Sequence, residues 1–202
     1  MGSEILTYLR LGMHHIADLR GYDHILFVAA LTVAYRPSDW RRLLWLVTAF
    51  TVGHSITLAL ATLNLVRVNS RLVEIGIAAT IVIASLMAIT VAARSDPGAL
   101  TPVSGRGQRV RYLMAGAFGL IHGLGFSTFL RSLLGEESSI FLPLLSFNVG
   151  LELGQLSIVL GVLAVGLVVE KGISLARRDW VLVASGAIAA IGTTMIVERI
   201  WG

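Results

Sequence analysis

The sequence predicts an all-α fold: a polytopic membrane protein built as a bundle of six transmembrane helices with an amphipathic N-terminal helix. Three observations predict it. Hydrophobic residues fill 55% of the 202 positions and charged residues only 14%, whereas an ordinary soluble domain carries about 25% charged residues. The mean hydropathy is +0.81. The apolar residues fall into long runs joined by short polar links, and roughly 20 such residues cross a bilayer. The chain, 1–202, then forms a single transmembrane domain with no length left for a second, soluble one.

Residues 1–20 contain Glu4, Arg10, His14, His15, Asp18 and Arg20, which interrupt any apolar core, so no signal peptide is expected. Ile5, Leu6, Leu9, Met13 and Ile16 recur near the helical period and predict an amphipathic helix that lies at the interface or leads into the first span. The spans are expected at about 22–35, 40–65, 72–93, 109–132, 140–169 and 180–200. The first is short and must borrow length from the segment before Gly21 or sit in a thinned region. Pro37 stops the helix before it, and Ser38 or Asp39 can cap the next. Residues 94–108, rich in Gly, Pro and Ser, form the one long loop. A turn follows at Gly135, Glu136 and Glu137, and Lys171 to Asp179 is a basic link.

Charge placement predicts sidedness. The links after spans one, three and five hold ten Lys and Arg residues; those after spans two and four hold Arg67, Arg71 and Arg131. Positive residues stay on the cytoplasmic side, so both termini are expected outside, in the inner (plasma) membrane of a prokaryote. Nucleic-acid binding is a poor reading of such residues. Membrane lipids are the expected surroundings, and a homo-oligomer is compatible with the pattern.

The chain has no cysteine, which excludes disulfides, thiolate metal sites and thiol nucleophiles. What remains is a set of ionisable residues inside apolar runs, where their cost makes function the default reading. Asp23 and His24 stand side by side at the start of the first span; His54, His122 and Glu152 lie within later ones. Under the predicted topology all of them fall at or above the midplane, so one pocket open to the outside can collect them. Imidazole and carboxylate ligands suit Zn, Ni, Co, Fe or Cu(II), with Ni, Zn or Co expected here. Each residue also has a plainer reading. Asp23 can be a helix N-cap, His54 polar glue between helices, and His122 a partner for a carbonyl. Glu152 shares a face with Asn148 and Gln155 and can belong to a protonated interhelical network. Ala115, Gly119 and Gly123 form one packing ridge, Gly150 and Gly154 a second. Glu74, near the start of span three, is weaker evidence.

At these residues the chain resembles the HupE/UreJ family of membrane proteins, in the branch with an extracytoplasmic N-terminus. The resemblance rests on GYDHILFV (21–28), AFTVGHSITLAL (49–60), Glu74, FGLIHGLGF (118–126) and FNVGLELGQL (147–156). The family is described as nickel or cobalt permeases, or accessory proteins linked to hydrogenase and urease metal supply. The resemblance implies a six-span fold, a divalent transition metal, and ligands at His15, Asp23, His24, His54, His122 and Glu152. The spacing from His15 to Gly21 is longer than in the family's first motif.

Two functions follow from this set. One is a permease for nickel or a similar ion, which needs a site near the midplane with access from both sides. The other is an intramembrane zinc-dependent hydrolase acting on a lipid or small amphiphile, with an open metal position for water. In that case Glu152 or Asp23 is the general base, and Ser55 or Asn148 the oxyanion donor.

Overall fold

The structure is a computed structural model that describes residues 2–95, 105–134 and 140–202. It is all-α. Seven helices are formed among the described residues: α1 Gly2–Ile16, α2 Asp23–Thr32, α3 Trp40–Thr62, α4 Ser70–Ala93, α5 Arg106–Leu134, α6 Phe141–Gly172 and α7 Arg177–Trp201. Among the described residues four segments are long and apolar enough to cross a membrane: Pro37–Thr62, Ser70–Ala93, Phe141–Gly172 and Arg177–Trp201. α5 is 29 residues long and carries Arg106, Arg109 and Arg111 in its first two turns. Most of the predicted 94–108 loop, and the turn at Gly135 to Glu137, lie outside the described residues.

The local chemistry explains the helix ends. A short 3-10 turn, Pro37–Asp39, precedes α3. Asp39 does not cap α3 through its side chain. Its carboxylate instead accepts from the Arg36 N–H at 3.2 Å and from Arg42 Nη1 at 2.8 Å, closing the turn that Pro37 begins. Asn69 caps α4, its Oδ1 accepting from the N–H groups of Arg71 at 2.9 Å and Leu72 at 3.4 Å.

α2 holds ten residues, roughly 15 Å of helix, half the hydrocarbon thickness. The missing length comes from α1. Gly150 and Gly154 of α6 pack so closely on α1 that a Cβ at either would run into Leu9 backbone or the Ile16 side chain. Further along α6, Ile158, Val162 and Val165 line an apolar groove with Ile25, Ala29 and Val33 of α2. The order of these pairs shows α1 and then α2 following α6 in the same direction. Together they make a broken helix, interrupted at residues 17–22. The predicted helix over 4–20 therefore ends earlier, at Ile16, where the chain turns: Asp18 Oδ1 accepts from the Arg20 N–H at 2.9 Å.

The two ends of the bundle are tied differently. At one end Arg177 donates to the Val33 carbonyl at 3.1 Å, to the Tyr35 carbonyl and to Glu170. It thereby satisfies carbonyls that the end of α2 leaves without helical partners. Tyr35 Oη donates to Gln108 Oε1 at 3.1 Å, and Arg111 lies over the Tyr35 ring. At the other end Arg71 donates to the carbonyls of Arg199 and Ile200, where α7 finishes. The first end gathers the Arg-rich links of the sequence; the second gathers the start of α2, the start of α4 and the end of α7.

α3 and α5 form the closest pair. Gly53, Gly119 and Gly123 face backbone atoms of the opposite helix at distances that exclude a Cβ, as small residues do at membrane helix contacts. The ridges read from the sequence on α5 and α6 thus have partners: α3 for the first, α1 for the second. Gly119→Val should push against the Phe50 carbonyl and destabilise the fold by about 1–3 kcal/mol. Gly186→Ala, where the added methyl meets nothing, should not. Thermal unfolding of both variants in detergent checks this; equal melting temperatures would mean that α3 and α5 are not held at this distance.

Candidate metal centre

The interruption between α1 and α2 sets the geometry of the site. His14 and His15 sit about 100° apart on the last turn of α1, so only one can face inward: His14 is exposed and His15 turns into the bundle. Its ring packs on Phe126 with centroids 3.8 Å apart, and Phe126 stacks on Phe147 at 5.2 Å. His24, one residue into α2, meets it from the other side of the break, with ring centroids 4.7 Å apart. The end of α1 also carries helix carbonyls without intrahelical partners, a partial negative charge beside the imidazoles.

α3 supplies the third ring. His54 is completely buried, its centroid 6.0 Å from His15 and 6.2 Å from His24. One ligand atom from each of His15, His24 and His54 lies within 4.8 Å of the other two, so the three can hold a metal ion. α5 brings a fourth imidazole: His122 is also fully buried, 4.9 Å from His24 between ring centroids. Among the described residues His122 is not a member of the tight group of three, although it stands against it.

The donor atoms are free. His15 Nε2, His24 Nε2, both ring nitrogens of His54 and His122 Nδ1 are buried without hydrogen-bond partners. Each such orphan costs about 1–3 kcal/mol. The gathering of His15, His24 and His54 is unfavourable for an apolar core and favourable for a cation that takes their lone pairs. Asp23 prepares one of them. Its Oδ1 stands 3.0 Å from His24 Nδ1 and also accepts the His24 backbone N–H at 2.8 Å. The carboxylate keeps the ring proton on Nδ1 and leaves Nε2 as the electron-pair donor.

A cavity of about 250 Å³ leads from this group past Asp18, Asp23 and Glu74. Arg199 of α7 stands in it. Its Nη2 is 3.6 Å from Asp23 Oδ2, its Nε 4.0 Å from Glu74 Oε2, and its Nη1 donates to the Glu74 carbonyl at 2.5 Å. Glu74 is more than half exposed at this mouth. Arg199 was not among the predicted site residues. Its one sequence signal is a basic residue at the end of the last span, on the side where the Lys and Arg count is low. On the other side of the imidazoles the wall is aromatic: Phe27 packs on Phe50 and Phe118, and Phe27 and Phe50 pack on His122.

The remaining predicted residues make contacts of their own. Glu152 Oε1 accepts a 2.6 Å bond from Thr48 Oγ1, and Gln155 Oε1 a 2.9 Å bond from Thr51 Oγ1, so α6 is pinned to α3 by two polar pairs. Thr48 precedes His54 by six residues on α3, and Gly154, two residues beyond Glu152 on α6, meets Met13 and Ile16 of α1. Ser55 Oγ donates to the Thr51 carbonyl at 2.6 Å. Asn148 Oδ1 is buried without a partner.

No curated protein and no solved structure matches the chain. The family described as HupE / UreJ protein matches residues 1–199, nearly the whole length over which the helices and the imidazole group are built. The chain is a multi-pass membrane protein that belongs to the HupE/UreJ family.

Proposed function

We propose that this protein moves a divalent transition metal ion of the nickel or cobalt type across the membrane, with His15, His24 and His54 as its intramembrane binding station. The observation that carries the reading is the set of buried, unpartnered imidazole nitrogens at a broken span. Broken helices whose free ends face an ion are a recurrent way to hold a cargo that must later leave. His122 completes the nitrogen set, Asp23 orients His24, and the metal ion is the substrate. Soft-ligand chemistry is not required: three imidazoles accept Ni, Co or Zn with little discrimination by donor type, and nothing in the donor set favours zinc.

Counting the broken α1–α2 pair as one span gives six spans in a single transmembrane domain over residues 1–202. With the Arg-rich links in the cytoplasm, both termini and the 250 Å³ cavity face outward. Ions then enter past Glu74 and Asp23, meet the imidazoles, and pass toward Glu152 and Thr48. Beyond them the helices are closed by Phe27, Phe50 and Leu46 around a cavity of only about 10 Å³, so passage requires α2, α3 and α6 to part there. The hydrolase reading has less support. It needs a base and an oxyanion donor beside the metal, whereas Glu152 is hydrogen-bonded to Thr48, Ser55 to a helix carbonyl, and Asp23 is held between the His24 ring and Arg199.

His54→Ala should weaken Ni²⁺ binding to the purified protein by at least 10-fold, the scale associated with losing support of a metal site; calorimetry reads it, and an unchanged affinity would remove the reading. Glu152→Gln should leave that binding within a few-fold yet abolish metal uptake into proteoliposomes, because the carboxylate serves a later step. Full uptake by the variant would restrict Glu152 to holding α6 on α3. A reporter inserted in the 94–108 loop should read cytoplasmic, and an external signal would invert the proposed direction of entry.

A further inference from the structure

The fourth imidazole, His122, has a partner that the sequence does not advertise. Thr80 of α4 places its Oγ1 2.7 Å from the Ile77 carbonyl and 2.9 Å from His122 Nε2. Both side chains are buried, at 2% and 0% exposure, so water does not compete for these bonds. A carbonyl only accepts, and a hydroxyl has one proton. Back-bonding to the i−3 carbonyl is the common state of threonine in a helix, and it commits that proton to Ile77. Towards His122 the oxygen then offers a lone pair, so Nε2 must carry the ring proton. A neutral imidazole has one N–H, which leaves Nδ1 bare; this is the nitrogen that is buried without a partner.

Building on the metal-carrying reading, we propose that Thr80 is a positioning residue that holds His122 as the Nε2–H tautomer, so that His122 offers the cation its Nδ1. His24 is set the opposite way. Its Nδ1 faces the Asp23 carboxylate and its Nε2 is the bare atom. Two rings 4.9 Å apart thus present electron pairs through different nitrogens, one selected by a carboxylate and the other by a hydroxyl already bound to a carbonyl. Nδ1 lies beside the ring carbon that bears the main chain, so an ion taken by His122 stays close to α5, the helix that Gly119 and Gly123 press against α3.

The test uses the full chain in detergent micelles, with ¹⁵N-labelled histidine and no metal. Signals of His122 are identified by their loss in His122→Ala. Nε2–H resonances are expected for wild type and Thr80→Ser; an Nδ1–H tautomer in wild type overturns the proposal. Thr80→Val keeps the shape and removes the acceptor, so its His122 should show a mixture of tautomers. In Ni²⁺ titrations Thr80→Ser should bind within about threefold of wild type and Thr80→Val about 10–100-fold more weakly, the range for outer partners of metal-binding histidines. If wild type binds Ni²⁺ and Thr80→Val binds it equally well, this inference fails alone. If wild type binds no Ni²⁺, the metal-carrying reading fails and the ligand role of His122 with it.

Discussion

The structure depends on the cost of burying imidazole nitrogens that have no partner. The nitrogens are buried, the surrounding hydrocarbon offers them no partners, and four histidines from four helices meet there. His24 and His122 each have one nitrogen occupied, by Asp23 and Thr80, and His54 has none. An apolar core would place leucine or phenylalanine at these positions and gain stability. Retaining orphan donors and acceptors at one point makes the empty site unfavourable and a bound cation favourable by the same amount of unmade bonding. The group of His15, His24 and His54 could hold such a cation.

The rest of the bundle holds this arrangement in place. The break at residues 17–22 lets one span contribute two histidines, His15 from the end of α1 and His24 from the start of α2. An unbroken helix would place residues nine apart about two and a half turns from one another, too far to share an ion. Glycine contacts then fix the helices that carry the partners: α1 against α6 through Gly150 and Gly154, α5 against α3 through Gly119 and Gly123. Arg177 at the opposite end binds the carbonyls where α2 stops, so the short half-helix is secured at both ends. The cavity on one side of the imidazoles and the closure by Phe27, Phe50 and Leu46 on the other give the site one open side.

Much of this was legible in the sequence because hydrocarbon makes polar residues conspicuous. Asp23, His24, His54, His122 and Glu152 stood out as ionisable groups within apolar runs, and small residues every four positions marked the contact faces on α5 and α6. The shortness of the first span was visible too, as was its need for length from before Gly21. Its solution as two stacked helices was not, because α1 carries charges that read as interfacial, and only the contact of Leu9 and Ile16 with α6 shows where it sits. Thr80 and Arg199 were not legible. A threonine in a span is ordinary, and its role arises from a partner 42 residues away. Arg199 sits at a helix end, where an arginine needs no explanation until Asp23 and Glu74 are seen beside it. Glu152 stood out by the face it shares with Asn148 and Gln155 and by the family resemblance; its hydrogen bond to Thr48 was not legible, because the sequence does not say which neighbour a side chain meets.

The central claim is that the imidazoles of His15, His24 and His54 bind the ion directly. X-ray absorption at the nickel edge of the Ni²⁺-loaded, purified protein tests it most directly, because outer-shell scattering from imidazole rings is distinct from that of carboxylates and water. The account predicts a coordination sphere with at least three imidazoles, losing one in His54→Ala. A sphere of oxygen ligands alone, unchanged in that variant, would contradict it.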